Sequence, residues 1–221
     1  VPLVAKGRIL GTLFLNHTRS QHWYSNQDIE IASAIASQAA VAIDNARLYE
    51  ETRRWTVHLE ALQSLIAKLN TSNTVSGIAT TIAEETKKII DYDSCRIFLL
   101  REGTDELVPA TYGGAAEEYR GETPEKLRLR VGEGITGWVA QTGRPQLVGD
   151  AERDPRARHI LGTPYVDESM IASPLVYQGR VTGVVTLSKL GLRKFSNSDL
   201  RLLNILANQA AIAIENARLY Q

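Results

Sequence analysis

The chain has 221 residues, of which 43% are hydrophobic and 23% are charged. This length allows one or two domains, and the composition is that of an ordinary globular core. Twenty-five basic residues balance twenty-five acidic ones, so no net field favours direct binding to nucleic acid or to a membrane. The single cysteine, Cys95, excludes an internal disulfide framework and a cysteine-rich metal site. We therefore expect a soluble protein in a reducing, cytoplasmic setting.

The first seventy residues predict a β-hairpin followed by a long helix. Apolar stretches at 2–5 and 8–16 flank Lys6-Gly7, and Gly7 supplies the positive φ angle that a tight hairpin turn requires. The helix is expected to begin near Ser25 or Asn26, with Asp28 in its first turn, where the helix dipole favours an acid. Neither proline nor glycine interrupts residues 27–70, so the helix is predicted to run through them.

Within this helix, positions 48, 52, 55, 59, 62, 66 and 69 follow one another at alternating steps of four and three, the spacing of a heptad seam, and all but Thr52 are apolar. This seam predicts a connecting stalk over residues 44–72, in which two parallel helices form a coiled coil and make a homodimer. Burial of the seam against the helix's own domain is the alternative. The predicted stalk residues are Leu48, Trp55, Leu59, Leu62, Ile66 and Leu69.

The rest of the chain predicts a mixture of helices and short strands. Helices are expected at 73–91, 135–141, 155–160 and 196–220, and strands at 95–100, 106–112, 127–131, 146–148 and in a hairpin at 173–190. This order indicates an α+β domain with a mostly antiparallel sheet, helices collected on one face and loops over the other.

The start and the end of the chain contain two pairs of similar segments. Residues 209–220 match residues 38–49 at ten of twelve positions, and residues 173–187 match residues 1–15 at a similar offset. A period this long indicates tandem domains rather than a short solenoid repeat. We expect residues 1–50 to be the C-terminal part of a first domain, residues 73–221 to be a complete second one, and the chain to be a piece of a longer protein. The isolated hairpin at 1–16 is expected to pair with another chain.

Several segments together resemble a GAF domain, a small-molecule sensing module. They are GEGITGWVA at 132–140, TGRP at 142–145, DPR at 154–156, SPLV at 173–176, GRV at 179–181, GVV at 183–185, and Phe195 with Asp199 before the closing helix. The resemblance implies a six-stranded antiparallel sheet with the terminal helices on one face and a ligand pocket, formed by loops and short helices, on the other. It also implies dimerisation through those helices and a tandem arrangement before an output domain.

The resemblance therefore implies a small-molecule-sensing regulatory module of a multidomain signal-transduction protein, such as a two-component system. A ligand-free dimerisation or spacer module is the alternative, and a haem or metal sensor that uses His159 is a third hypothesis. No nucleophile, base and oxyanion set can be assembled, so the fragment itself is not expected to be an enzyme. The ligand and any cofactor are left unidentified.

Seven residues are the candidates for the pocket because they combine aromatic walls with a few polar groups. They are Tyr112, Trp138, Arg156, His159, Tyr165, Met170 and Ser173. Ordinary core packing is the alternative for the aromatic members. Arg156 lies in a basic loop that either faces water or forms a rim for an anionic ligand group.

The chain matches part of the sequence signature of cyclic-nucleotide-binding GAF domains. Lys189, Phe195 and Asp199 match that pattern, whereas Ser188 and Leu200 depart from it. We therefore expect Lys189 and Asp199 to form a structural ion pair that braces the last helix on the sheet, rather than a nucleotide site. Cys95, in the first predicted strand, is expected to be a small buried hydrophobe.

Overall fold

The computed structural model describes residues 1–18, 23–69, 74–114 and 116–219, without the side chains of residues 50–52 and 54–69. The chain divides into two compact units, residues 1–60 and 61–221. Among the predicted stalk residues, the side chain of Leu48 is described and is 41% exposed. The side chains of Trp55, Leu59, Leu62, Ile66 and Leu69 lie outside the described residues, so the coiled-coil seam stays a prediction.

The first unit opens with an antiparallel hairpin of β1 (Pro2–Ala5) and β2 (Arg8–Thr12). Its turn residues, Lys6 and Gly7, have φ angles of 49° and 77°, as a type I′ hairpin turn requires. This confirms the predicted turn, although β2 is shorter than the apolar stretch that predicted it.

Helix α1 (Asn26–Leu69) follows the hairpin. Ser25 and Asp28 cap each other: the Ser25 N–H donates to Asp28 Oδ2 at 2.8 Å, and the Asp28 N–H donates to Ser25 Oγ at 3.2 Å. The buried carboxylate of Asp44 links the helix to the hairpin through Lys6 at 3.1 Å and Arg8 at 3.5 Å.

The second unit is built on a six-stranded antiparallel sheet with the spatial order β5-β4-β3-β8-β7-β6. Its strands are β3 (Ser94–Leu100), β4 (Glu106–Thr111), β5 (Leu129–Arg130), β6 (Gln146–Val148), β7 (Glu168–Tyr177) and β8 (Arg180–Leu190). The β7–β8 turn repeats the first hairpin, since Gln178 and Gly179 have φ angles of 48° and 77°.

Two helices cover one face of this sheet, α2 (Val75–Lys87) and α5 (Asn197–Leu219). Alternate side chains of a strand point to opposite faces, and the odd-numbered residues of β3, β7 and β8 face the helices. The main hydrophobic core lies there and includes Ile97, Ile171, Leu187, Ile82 and Leu206. The predicted helices at both ends of this domain are therefore confirmed.

The opposite face carries shorter elements. They are a 3₁₀ helix (Glu117–Tyr119), α3 (Pro124–Leu127) and α4 (Gly134–Thr142). The predicted strand at 127–131 is wrong over its first half, because Thr123 caps a helical turn that begins with Pro124 and ends at Leu127.

The predicted helix at 155–160 is also wrong. The Asp154 side chain accepts the Arg156 N–H at 2.9 Å, and the Ala157 N–H bonds the Asp154 carbonyl at 2.8 Å. These bonds close one turn, and residues 157–160 continue without helical structure. Aspartate followed by proline therefore marks a tight turn here, as such pairs often do.

Candidate ligand-binding site

A cavity lies on the face of the sheet opposite α2 and α5, beneath α3, α4 and the segment that follows β6. The cavity has a volume of about 100 Å³, counted as the space open to the centres of water molecules. One water molecule needs about 10–15 Å³ of such space. The cavity therefore has room for a small organic molecule. Its apolar wall consists mainly of Phe98, Leu127, Leu129, Ile135, Ile160 and Met170.

A buried ion pair forms part of the polar lining. Arg96 lies in the centre of β3, at an even-numbered position that points away from the helices. Its Nε donates to both oxygens of Glu122, at 3.0 and 3.1 Å, and its Nη2 also donates to Glu122. Its Nη1 donates to Ser188 Oγ on β8 at 3.2 Å. The guanidinium and the Glu122 carboxylate thus neutralise each other inside the domain.

Two further buried side chains of the lining have polar atoms without a hydrogen-bond partner among the described residues. They are Glu168, whose Oε1 has no partner, and Tyr119, whose hydroxyl has none. Burial raises the pKa of both groups, and the nearby carboxylates add to this effect. Unsatisfied buried polar groups are costly and rare in native proteins, so these two atoms can accept a hydrogen-bond partner that enters the cavity.

The start of α4 forms one rim of the cavity. Glu133 accepts the Arg130 N–H at 2.9 Å and pairs with Arg158 Nε at 2.9 Å. Gly134 has a φ angle of 67°, and a Cβ there would lie 3.3 Å from Arg158 Cβ. The glycine-rich GEGITG sequence therefore permits a close turn into the helix.

The structure places Met170 in the cavity lining and the other six predicted pocket residues outside it. Tyr112 is 40% exposed on the chain after β4. Ser173 is buried on the opposite face of β7, where its hydroxyl donates to Asn204 Oδ1 of α5 at 2.8 Å.

Trp138 and Arg156 form a cluster of their own. The guanidinium lies over the indole ring at 4.8 Å and makes two 2.8 Å hydrogen bonds to the Asp154 carboxylate and one of 3.2 Å to Gln146. These bonds to Arg156 lower the pKa of Asp154. The arginine therefore stabilises the turn at 154–157 and is already paired with an anion.

His159 and Tyr165 stack on each other, with ring centroids 3.8 Å apart and an angle of 11° between the planes. His159 Nδ1 is buried without a hydrogen-bond partner among the described residues and lies 3.6 Å from Glu152 Oε1. Glu152 lines the cavity, whereas neither His159 nor Tyr165 does. The stacked pair therefore approaches the lining through His159 and Glu152. In the described part of the chain, no group of three or more His, Cys, Asp or Glu side chains could hold a metal ion.

The sequence prediction missed the charged lining, namely Arg96, Glu122 and Glu168. One signal was available: Arg96 interrupts an otherwise apolar strand, SCRIFLL. A charge in a buried strand needs a buried partner of opposite charge. That partner, Glu122, lies 26 residues away, on a segment whose sequence has no helical or strand periodicity to show which side chains are buried.

The predicted Lys189–Asp199 ion pair is wrong. Lys189 pairs with Asp91, after α2, whereas Asp199 caps α5 by accepting the N–H and hydroxyl of Ser196, each at 2.7 Å. Cys95 is buried as predicted, and burial raises the pKa of its thiol to about 12. Over the described residues, no helix is both long and apolar enough to cross a bilayer.

A family model described as "GAF domain" matches residues 72–215, and a second model with the same description matches residues 1–43. The first match covers well over half of the chain. The chain belongs to the GAF domain family. The sheet, the helices behind it and the cavity in front of it are the features that the sequence resemblance implied.

Curated relatives contain this GAF region within longer proteins. The chain is 22% identical over 223 residues to a probable 3',5'-cyclic phosphodiesterase of Caenorhabditis elegans, covering 90% of this chain and 31% of that protein. It is 32% identical over 101 residues to the Nif-specific regulatory protein of Azospirillum brasilense, covering 42% of this chain and 16% of that protein. The chain thus spans a third or less of these relatives.

Solved structures support the fold. A GAF domain from a phosphoenolpyruvate-protein phosphotransferase of Coxiella burnetii superposes with a TM-score of 0.63 at 22% identity, covering 74% of this chain and 95% of that one. A free methionine-R-sulfoxide reductase from Neisseria meningitidis superposes with a TM-score of 0.61 at 24% identity, covering 75% and 93%. At these identities the likeness concerns the fold alone.

Proposed function

We propose that the GAF domain at residues 73–221 is a regulatory module that binds a small molecule in the cavity and reports its presence to a larger signal-transduction protein. The observation that carries this proposal is the cavity lining, in which buried Glu168 and Tyr119 have unpartnered polar atoms. A domain that served as a spacer alone would gain by filling this space with apolar side chains.

Strand β7 is the structural route from the cavity to the helices. Its even-numbered residues Glu168 and Met170 line the cavity, whereas Ile171, Ser173 and Leu175 face the helix side. A ligand that moves β7 would therefore also act on α5. For signalling, the ligand must bind two arrangements of these helices with different affinity.

We further propose that residues 1–50 are the end of another GAF domain and that residues 44–72 form a dimeric stalk. The sequence repeat, the matching turn angles of the two hairpins and the same Ser–Asp cap on α1 and α5 support the repeated domain, and the heptad spacing supports the stalk. The partners would be an unidentified small molecule and a second copy of the chain. Direct contacts to nucleic acid or membrane, and catalysis by this region, are not part of the proposal.

The whole protein would carry an output domain. Its relatives include a hybrid signal transduction histidine kinase of Dictyostelium discoideum as well as the phosphodiesterase and the regulator named above. We assign the module to the cytoplasm because its single cysteine is a buried thiol.

A thermal-shift screen tests the proposed function. Binding to the folded state must raise the melting temperature, so we expect at least one compound of a metabolite panel to do so. The variant Ala157→Phe places bulk in the cavity lining and should abolish the shift, whereas Ala42→Phe, at an exposed position of α1, should retain it. A panel that shifts neither the parent chain nor the control contradicts the proposal.

One observation favours the alternative, a dimerisation and spacer module. Ile31, Ile35 and Ile43 lie along one side of α1 at helical spacing and are 53%, 55% and 49% exposed. Such a stripe is suited to pairing with a second helix. If this is the whole function, the triple change to serine makes the chain monomeric and no metabolite changes the melting temperature of either form.

A further inference from the structure

We propose that the cavity selects a small organic cation, an ammonium or amidinium group carried on a short apolar body. This inference deepens the proposed function, on which it rests, by naming the chemical class of the ligand. It follows from the charges of the lining, from its unpartnered polar atoms and from its apolar wall.

The charges of the lining leave an excess of carboxylates. Among the described residues, five glutamates and two arginines line the cavity. Both arginines are paired within the lining, Arg96 with Glu122 and Arg158 with Glu133. The remaining lining glutamates are Glu118, Glu152 and Glu168, of which Glu152 lies 3.6 Å from His159 Nδ1. A cavity with low-dielectric walls and this surplus attracts a cation and repels an anion.

The unpartnered atoms require a hydrogen-bond donor. Glu168 is 9% exposed, and its Oε1 has no partner among the described residues. Arg96, the cation that acts on this carboxylate, is already paired with Glu122. A carboxylate accepts hydrogen bonds, and an ammonium group donates up to three. The terminal torsion of a glutamate is soft, so Glu168 can turn an oxygen toward a donor that enters the cavity.

Tyr119 adds a second acceptor to the lining. Its hydroxyl is buried and has no hydrogen-bond partner in the described part of the chain, and its ring lies 5.4 Å from the Arg96 guanidinium carbon. A phenolic oxygen accepts a hydrogen bond from an ammonium group and can donate its own proton to a carboxylate. An ammonium group can therefore supply a donor to either orphaned atom, which a carboxylate ligand cannot do for Glu168.

The start of α4 is the feature that would favour an anion, because its N-terminal amides carry partial positive charge. Glu133, the residue before Gly134, already places a carboxylate at this end, and that carboxylate accepts the Arg130 N–H. Arg153 and Arg156 likewise lie beside Asp150 and Asp154. The arginines around the cavity thus each lie beside a carboxylate, whereas Glu118 and Glu168 form no ion pair among the described residues.

A matched set of four-carbon probes tests this inference on the whole chain: n-butylamine, 1-butanol and butyrate. Each is titrated at neutral pH while amide chemical shifts are followed by NMR, with attention to the residues that line the cavity. We expect n-butylamine to bind at least about tenfold more tightly than 1-butanol, as a charge-assisted hydrogen bond would provide, and butyrate to leave the cavity amides unmoved.

Two variants assign the effect to Glu168. Glu168→Gln keeps the side-chain shape, removes the charge and should weaken n-butylamine binding about tenfold. Glu117→Gln makes the same chemical change on the neighbouring 3₁₀ helix, where the side chain is 83% exposed and outside the lining, and should leave binding unchanged.

The possible outcomes distinguish failure of the cation inference from failure of the proposed ligand-binding function. If 1-butanol or butyrate binds the cavity as well as n-butylamine does, or if Glu168→Gln binds n-butylamine normally, the cation inference is overturned and the cavity still binds ligands. If none of the three probes moves the cavity amides, the inference is also overturned. The metabolite screen then decides separately whether the proposed function stands.

Discussion

Arg96 Nε donates to both carboxylate oxygens of Glu122, at 3.0 and 3.1 Å, in a site where the two side chains are 6% and 1% exposed. The contact joins the centre of β3 to the loop between the 3₁₀ helix and α3. A charge in such a place is tolerated because its partner is present. The pair therefore fixes to the sheet the loop that follows Tyr119.

Removing one partner of this pair should destabilise the domain severely. Glu122→Ala leaves the Arg96 charge buried without its counter-ion, and the expected loss is about 3–5 kcal/mol of unfolding free energy. Urea denaturation measures it. As a control, Glu117→Ala removes a carboxylate from an exposed pair with Arg120 and should cost no more than about 0.5 kcal/mol.

Replacing both partners shows whether the stability lost in Glu122→Ala comes from the unpaired buried charge or from loss of the ion pair itself. The double variant Arg96→Met/Glu122→Leu should recover most of the loss, because an apolar pair of similar volume avoids desolvation of two ions. A double variant as unstable as Glu122→Ala would show that the pair itself, rather than the orphaned charge, stabilises the loop.

Glu168→Gln should stabilise the domain at neutral pH. Burial raises the pKa of Glu168 above its ordinary value of 4.5, helped by Glu122 and Glu152 and opposed by Arg96 and by the Ser188 hydroxyl. Between the unfolded and folded pKa values the native state holds more protons than the unfolded state, so stability falls as the pH rises through that window.

The stability difference between Glu168→Gln and the parent chain should therefore be largest above this window and shrink as the pH falls through it. Thermal unfolding across a pH series measures this difference. Glu117→Gln, at an exposed position, should follow the parent chain throughout. A Glu168→Gln advantage that grows on acidification would contradict the assignment of a buried, proton-binding carboxylate.

The Ser173–Asn204 hydrogen bond ties β7 to α5 at 2.8 Å. Ser173→Ala removes the donor and should cost about 1–2 kcal/mol, since a half-buried Asn204 loses a partner in the core. A double-mutant cycle with Asn204→Ala, measured by urea denaturation, should give a coupling of about 0.5 kcal/mol or more. Purely additive losses would mean that this contact does not connect strand and helix energetically.

Cys95 should resist thiol reagents in the folded chain. Its side chain is 4% exposed and burial raises the pKa of the thiol to about 12, whereas the reactive species is the thiolate. We expect an aromatic disulfide reagent at pH 8 to label the thiol only after denaturant is added. Fast labelling of the native chain would show that β3 opens locally at that position.

Glu60→Pro tests the stalk. Helix α1 is continuous through residue 60, and proline in a helix interior costs about 3 kcal/mol or more. If the heptad seam joins two chains, this variant should shift the dimer toward monomer in light scattering, while Glu60→Ala should not. A dimer that persists in Glu60→Pro would place the contact elsewhere.

Local signals in the sequence determined most of the fold. The hairpin turns at Lys6-Gly7 and Gln178-Gly179 and the caps at Ser25 and Ser196 involve neighbours within a few residues. Such contacts depend on backbone sterics and short-range hydrogen bonds, which the sequence displays directly. Asp154-Pro155 is an exception, because the same pair can begin a helix or a single tight turn, and here the Asp154 side chain accepts the Arg156 N–H and closes a turn.

The tertiary structure decided the site. Met170 and Ser173 are three positions apart on one strand, so they point to opposite faces, one to the cavity and one to α5. The alternation of side chains along a strand shows that these two residues face opposite sides of the sheet, but it does not show which side the helices cover. Arg96 and Glu122, or Lys189 and Asp91, meet across 26 and 98 residues. Long-range packing brings such pairs together, and no periodicity of the sequence records it.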